Sequence, residues 1–117
     1  MDLDAFRTYC LRKNGTTEET PFGPDTLVYK VLGKIYAITG FTKPLRVNLK
    51  CDPERAVVLR EEYEEVLPGY HMNKKHWNTI AVDGSLSAKE LMQHINHSYE
   101  LVVASLSQKE KRELNML

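Results

Sequence analysis

Residues 45–54 read Leu45-Arg46-Val47-Asn48-Leu49-Lys50-Cys51-Asp52-Pro53-Glu54, and two kinds of local order meet inside this stretch. Apolar and polar residues alternate strictly from 45 to 50. Successive side chains of a strand point to opposite faces, so Leu45, Val47 and Leu49 line one face and Arg46, Asn48 and Lys50 the other. Asp52-Pro53-Glu54 is a helix start, because aspartate accepts from the free backbone N–H groups of a first turn and proline there has no donor to lose. A half-apolar strand running straight into a helix predicts an α+β chain with a sheet apolar on one face.

Working outward, Ala56, Leu59, Tyr63 and Val66 form the buried stripe of the helix that begins at Pro53, and Pro68-Gly69 breaks it. Residues 70–72 and 76–82 read as two further strands, joined by a turn around Asn73-Lys74-Lys75 and closed by Asp83-Gly84. Ser87 and Glu90 have the spacing of a capping box, with Leu86 and Leu91 as its hydrophobic staple. Leu91, Ile95, Tyr99, Val102 and Leu106 then mark the inner face of a long helix, and Ser107 with Glu110 cap a short last one.

On the N-terminal side, residues 2–13 predict a helix: Leu3, Phe6 and Cys10 share a face, acids open it, Arg12 and Lys13 close it, and Asn14-Gly15 ends it. After the polar Thr16-Thr17-Glu18-Glu19 stretch, Leu27, Tyr29 and Val31 alternate with Val28 and Lys30. A turn at Gly33 leads into Lys34-Ile35-Tyr36-Ala37-Ile38, a hairpin, and residues 40–44 give a second turn. The predicted order is α-β-β-β-β-α-β-β-α-α.

A chain of 117 residues can bury roughly two thirds of its unfolded surface, enough for one core, and no repeat or linker divides it, so residues 1–117 are expected to form a single domain. The composition, 42% hydrophobic and 27% charged, is that of a globular protein and excludes disordered and fibrous classes. No apolar run approaches the roughly 20 residues that cross a bilayer, and Met1-Asp2-Leu3-Asp4 lacks the basic-then-apolar order of a signal peptide. The expected location is the cytoplasm, where Cys10 and Cys51 read as two small buried hydrophobes. Lys plus Arg equal Asp plus Glu at 16 each, yet the charge is segregated. Lys34, Lys43, Arg46 and Lys50 lie in a stretch without an acid, whereas residues 51–66 hold six acids against Arg55 and Arg60.

The densest group of functional side chains is Tyr70-His71-Met72-Asn73-Lys74-Lys75-His76-Trp77-Asn78. Its amines and imidazoles can donate to phosphate oxygens, and Trp77, the one tryptophan, either stacks on a base or packs in the core while Asn and Lys serve the turn. Arg46, Asn48 and Lys50, with Lys43 and Lys34, make a basic stripe that either binds phosphates by releasing counterions or is a solvated face whose lysines discourage edge pairing. Glu90, His94 and His97 share a helix face, but nothing in the sequence completes a metal site, and no metal or cofactor is expected. Cys10 lies on an apolar stripe, and phosphate-loop, dinucleotide and zinc-protease signatures are absent from the sequence, so no catalytic residue is assigned.

The run His71-Met72-Asn73-Lys74-Lys75-His76-Trp77-Asn78-Thr79, followed by apolar residues and Asp83-Gly84-Ser85, resembles the signature of the MmcQ/YjbR family. Pro68, the segment Val31-Leu32-Gly33-Lys34-Ile35-Tyr36-Ala37 and the junction Lys50-Cys51-Asp52-Pro53-Glu54 extend the resemblance along nearly the whole chain. The resemblance implies a two-layer α+β domain, an antiparallel sheet of about six strands with helices packed on it, similar in shape to secretion-chaperone-like and frataxin-like (CyaY-like) proteins. It also implies a double-wing DNA-binding function. Carried to this sequence, the wings are the region from Lys34 to Lys50 and the hairpin from Asn73 to Trp77. The expected contacts to double-stranded DNA are then Lys34, Lys43, Arg46, Lys50, Asn73, Lys74, Lys75, His76 and Trp77. The alternative is a protein-interaction module of the chaperone kind, with a protein partner in place of nucleic acid. In either case no membrane is involved, and the chain is expected to be a monomer or weak homodimer.

Overall fold

A computed structural model of the chain describes residues 1–69, 72–82 and 86–117. The elements run α1 (Leu3–Leu11), β1 (Thr16–Glu19), β2 (Thr26–Val31), β3 (Lys34–Gly40), β4 (Leu45–Lys50), α2 (Pro53–Glu62), β5 (Val66–Pro68), β6 (Trp77–Val82), α3 (Ala88–Ala104) and α4 (Gln108–Asn115). The strands pair antiparallel in the order β1-β2-β3-β4-β6-β5, so β4 and β6 lie side by side in mid-sheet. This is the α+β architecture, and the element order, that the sequence pattern predicts.

The alternation in β4 sets the two faces. Leu45, Val47 and Leu49 are buried beneath the helices, while Arg46 is exposed and Asn48 and Lys50 are partly so. Register carries this division across the sheet, since Val47 pairs with Ile80 and Leu49 with Ala37 and Asn78 on the inner face. On that face Phe6 of α1 meets Tyr29 edge-to-face at 5.6 Å, and Leu91, Ile95 and Val102 of α3 complete the core. Each such fully buried side chain contributes roughly 1.5–3 kcal/mol by leaving water.

One inner-face feature departs from simple alternation. The β2–β3 register shifts between Tyr29 and Lys30, leaving Tyr36 with no partner across β2. Tyr36 and Ala37, adjacent in sequence, are consequently both fully buried. The phenol is not stranded there: it donates to the Cys10 carbonyl at 3.2 Å and shares a hydrogen bond with Thr16 at 3.0 Å. The turn before it places Leu32 and Gly33 at φ 46° and 81°, the pair of positive values that a two-residue hairpin loop demands.

The caps follow the sequence closely. Asp2, Asp52, Ser87 and Ser107 each accept from a first-turn N–H, and at Ser107 the Glu110 side chain returns the bond. Both cysteines are free and buried. Burial pushes the Cys10 thiol up to about 12, which keeps it protonated and unreactive.

Two boundaries are corrected. The middle helix stops at Glu62, and Val66, expected on its buried stripe, instead heads β5 and pairs with Ile80. A strand therefore stands at Val66–Pro68, where Tyr63, extended at φ −126° and ψ 122°, has already left the helical path, and the strand expected at 70–72 lies mostly outside the described residues. Met72 is outside any strand, and Tyr70, His71 and the Asp83-Gly84-Ser85 turn lie outside the described residues. No helix is long and apolar enough to cross a membrane, among the described residues.

Candidate nucleic-acid interface

The helices bury their apolar residues against the inner face of the sheet, and the other, open face is partly exposed. Down this open face the register aligns Glu19, Val28, Ile38, Asn48, Thr79 and Leu67 in one row. Lys50 stands directly across from Trp77 on one side of that row, and Arg46 across from Ala81 on the other. Val28 is fully covered, whereas Leu67 is 58% exposed and Trp77 partly exposed. The tryptophan thus belongs to the open face and not to the core.

Strand geometry decides which of the expected residues come together. Lys50, at the end of β4, lies beside the turn that carries Asn73, Lys74, Lys75 and His76 into Trp77. Arg46 is four residues back along the same strand and on the same face, about 13 Å away at 3.3 Å per residue. Lys43 lies in the β3–β4 loop, at the opposite end of the sheet. Lys34 is turned to the helix layer, where its ammonium donates to the Ser105 carbonyl at 3.3 Å. Lys50 therefore lies at the same end of the sheet as Lys74 and Lys75, Arg46 lies about 13 Å along the same face toward the Lys43 loop, and Lys34 stands apart on the helix side. Among the described residues the ion pairs are Arg7–Glu18 and Lys30–Glu19, and neither involves Arg46, Lys50, Lys74 or Lys75.

The 73–77 turn is built from backbone and side chain together. The Asn73 side chain accepts from the Lys75 N–H at 3.0 Å, and its carbonyl accepts from His76 and Trp77 at 3.1 and 2.9 Å. Asn73 is thus committed to the turn, one of the two roles its residue type suggests. Gly69 closes the other side: its N–H donates to the Trp77 carbonyl at 2.8 Å, and a Cβ added there would lie 2.7 Å from the Trp77 Cβ.

Arg60 of α2 was not expected at this site, yet it fixes the site from behind. Its guanidinium donates to the Asn78 side chain at 2.7 Å, to the Trp77 carbonyl at 3.3 Å and to the Lys74 carbonyl. Asn78 is 2% exposed, and its amide also donates to the Ala56 carbonyl. A planar fork with several donors suits such a junction of three acceptors. The only sequence signal is that Arg60 follows Ala56 by one helical turn and so borders the buried stripe.

The junction from β4 to α2 is held in the same manner. Three successive N–H groups find three partners: Lys50 donates to Ser98 Oγ at 2.8 Å, Cys51 to the His76 carbonyl at 2.7 Å, and Asp52 to His97 Nε2 at 3.2 Å. His97 accepts that bond only while neutral. His94, one turn earlier, is 9% exposed. Burial and then Arg55 lower the pKa of both imidazoles below the usual histidine value, against opposing pulls from Glu90 at His94 and from Asp52 and Glu100 at His97.

A folded-state pKa below the unfolded value means that the unfolded chain binds more protons. The stability from these two groups is complete above about pH 6.5 and is lost as the pH falls from there through the folded values. Urea midpoints measured from pH 7.5 to 5 should decline, and His94→Leu should decline less steeply. Equal slopes for the two proteins would exclude His94 as a source of the effect.

Comparison with known proteins agrees with this fold. The family model described as YjbR matches residues 11–101. The chain is 31% identical over 115 residues to YjbR of Escherichia coli (strain K12), covering 97% of each. It is 37% identical over 93 residues to YbdF of Escherichia coli O157:H7, covering 79% of this chain and 76% of that one. Both relatives are described as uncharacterized proteins. Among solved structures, a Deinococcus radiodurans protein with a domain described as DUF419 superposes with a TM-score of 0.91 at 40% identity, over 97% of this chain and 87% of that chain. A Pseudomonas syringae protein does so at 0.75 and 31%, over 86% and 98%. With the sheet order, the 73–77 turn and the β4–α2 junction in place, and with matches this extensive, the chain belongs to the YjbR family.

Proposed function

We propose that this chain binds DNA, holding the phosphate backbone along β4 on the open face of its sheet. One observation supports the reading: Arg46 and Lys50 share the face of β4 turned away from the helices and form no ion pair among the described residues, and the turn that carries Lys74 and Lys75 stands at the Lys50 end, just before β6. The net charge of zero does not oppose this, because attraction to a polyanion acts locally over a Debye length of about 8–10 Å. Of the acids in residues 51–66, Glu54, Glu61 and Glu62 belong to α2, whereas Glu65 precedes β5 beside Ala81.

Four phosphate contacts imply that the logarithm of affinity falls with that of salt with a slope of about −3 to −4. The test is an anisotropy titration of fluorescein-labelled DNA, offered as a duplex and as its separate strands, from about 50 to 200 mM salt. Lys74→Ala with Lys75→Ala should weaken binding and reduce the slope by about two. Absence of binding to either form at the lowest salt, or a double variant identical to the parent, would end this reading.

A further inference from the structure

Resting on that reading, we infer that the open face takes unpaired DNA in preference to duplex, with a base stacked on Trp77 and the adjoining phosphate on Lys50. Trp77 faces Lys50 across the β4–β6 ladder, so a partly exposed aromatic ring and a cation with no ion pair among the described residues are neighbours on the sheet face turned away from the helices. The residue is held in place: Asn73 receives its N–H, Gly69 and Arg60 donate to its carbonyl, and Gly69 leaves no space behind its Cβ. Core packing does not explain the indole, which is partly exposed and absent from the buried cluster.

A duplex stacks its base faces inside and offers only edges and phosphates, so an indole on a flat sheet has nothing to stack on there. An unpaired strand offers both base face and phosphate to neighbouring groups, the combination that aromatic and cationic side chains together recognise. Between Arg46 and Lys50, Asn48 is partly exposed and accepts from the hydroxyl of the buried Thr79, its partner in register. Arg46, about 13 Å along the strand, takes a later phosphate.

Trp77 is the only tryptophan, so the emission of the full chain reports on this face alone. The experiment titrates the protein with an oligothymidylate of about 12 nucleotides and with a duplex of equal length, reading tryptophan emission and the anisotropy of a label on the DNA. The strand should quench the emission and bind about tenfold more tightly than the duplex. Trp77→Ala should lose about tenfold in strand affinity, a larger loss than for the duplex, and Trp77→Phe should keep most of it. Duplex binding as tight as strand binding, or strand binding without quenching, overturns the inference and leaves DNA binding standing. No anisotropy change with either probe at low salt overturns both. Quenching in the parent protein needs no variant, so the test survives a Trp77→Ala chain that fails to fold.

Discussion

Arg60→Ala should lower the unfolding free energy by about 2–4 kcal/mol and weaken DNA binding, although Arg60 is not placed on the binding face. The loss follows from what the guanidinium leaves behind. The Asn78 side-chain oxygen, on a residue that is 2% exposed, loses its charged donor, as do the carbonyls of Lys74 and Trp77. A buried acceptor without a partner costs about 1–3 kcal/mol, and a hydrogen bond from a charged donor contributes about 1.5–3. Lysine is a single compact cation and cannot span these acceptors, so Arg60→Lys should recover less than half of the loss. Urea unfolding followed by circular dichroism measures both variants. A change below about 0.5 kcal/mol for Arg60→Ala would show that the three contacts are not coupled to folding.

That arginine also marks the limit of sequence reading in this fold. Strand β4, the Asp52 cap and the Ser107–Glu110 capping box are local patterns, and each stands where its pattern places it. Val66 is different: it follows Ala56, Leu59 and Tyr63 at helical spacing, so periodicity alone extends the helix to it. Pairing with Ile80, distant in sequence, decides otherwise. The side-by-side burial of Tyr36 and Ala37 depends on a register shift between two strands, which no window of a single strand encodes. At the site, the chemistry of the 73–77 turn was legible from residue types, whereas the orientation of Lys34 toward Ser105 and the reach of Arg60 to Asn78 depend on packing between layers. Charge segregation along the chain puts Lys34, Lys43, Arg46 and Lys50 in one stretch, but it could not tell that Lys34 turns to the helix layer, which depends on packing.

The second large effect is expected from Arg46→Ala combined with Lys50→Ala. Each removes a cation from the open face, and at about 1 kcal/mol for each phosphate contact the pair should weaken DNA binding about 30-fold at moderate salt. Stability should stay within about 0.5 kcal/mol of the parent, because neither side chain has an ion-pair partner among the described residues and the Lys50 N–H that Ser98 receives is unaffected. Lys34→Ala, on the other side of the sheet, should leave affinity within about twofold. If the Lys34 variant lost as much as the double variant, binding would follow total charge and not this face.

Salt dependence distinguishes a localised phosphate track from general attraction, because the slope counts the cations that displace counterions. The decisive measurement is the slope of log affinity against log salt for the parent chain and for the Arg46→Ala, Lys50→Ala chain. The open-face account gives a slope of about −3 to −4 for the parent, shallower by about two in the double variant. Equal slopes for the two proteins would contradict it.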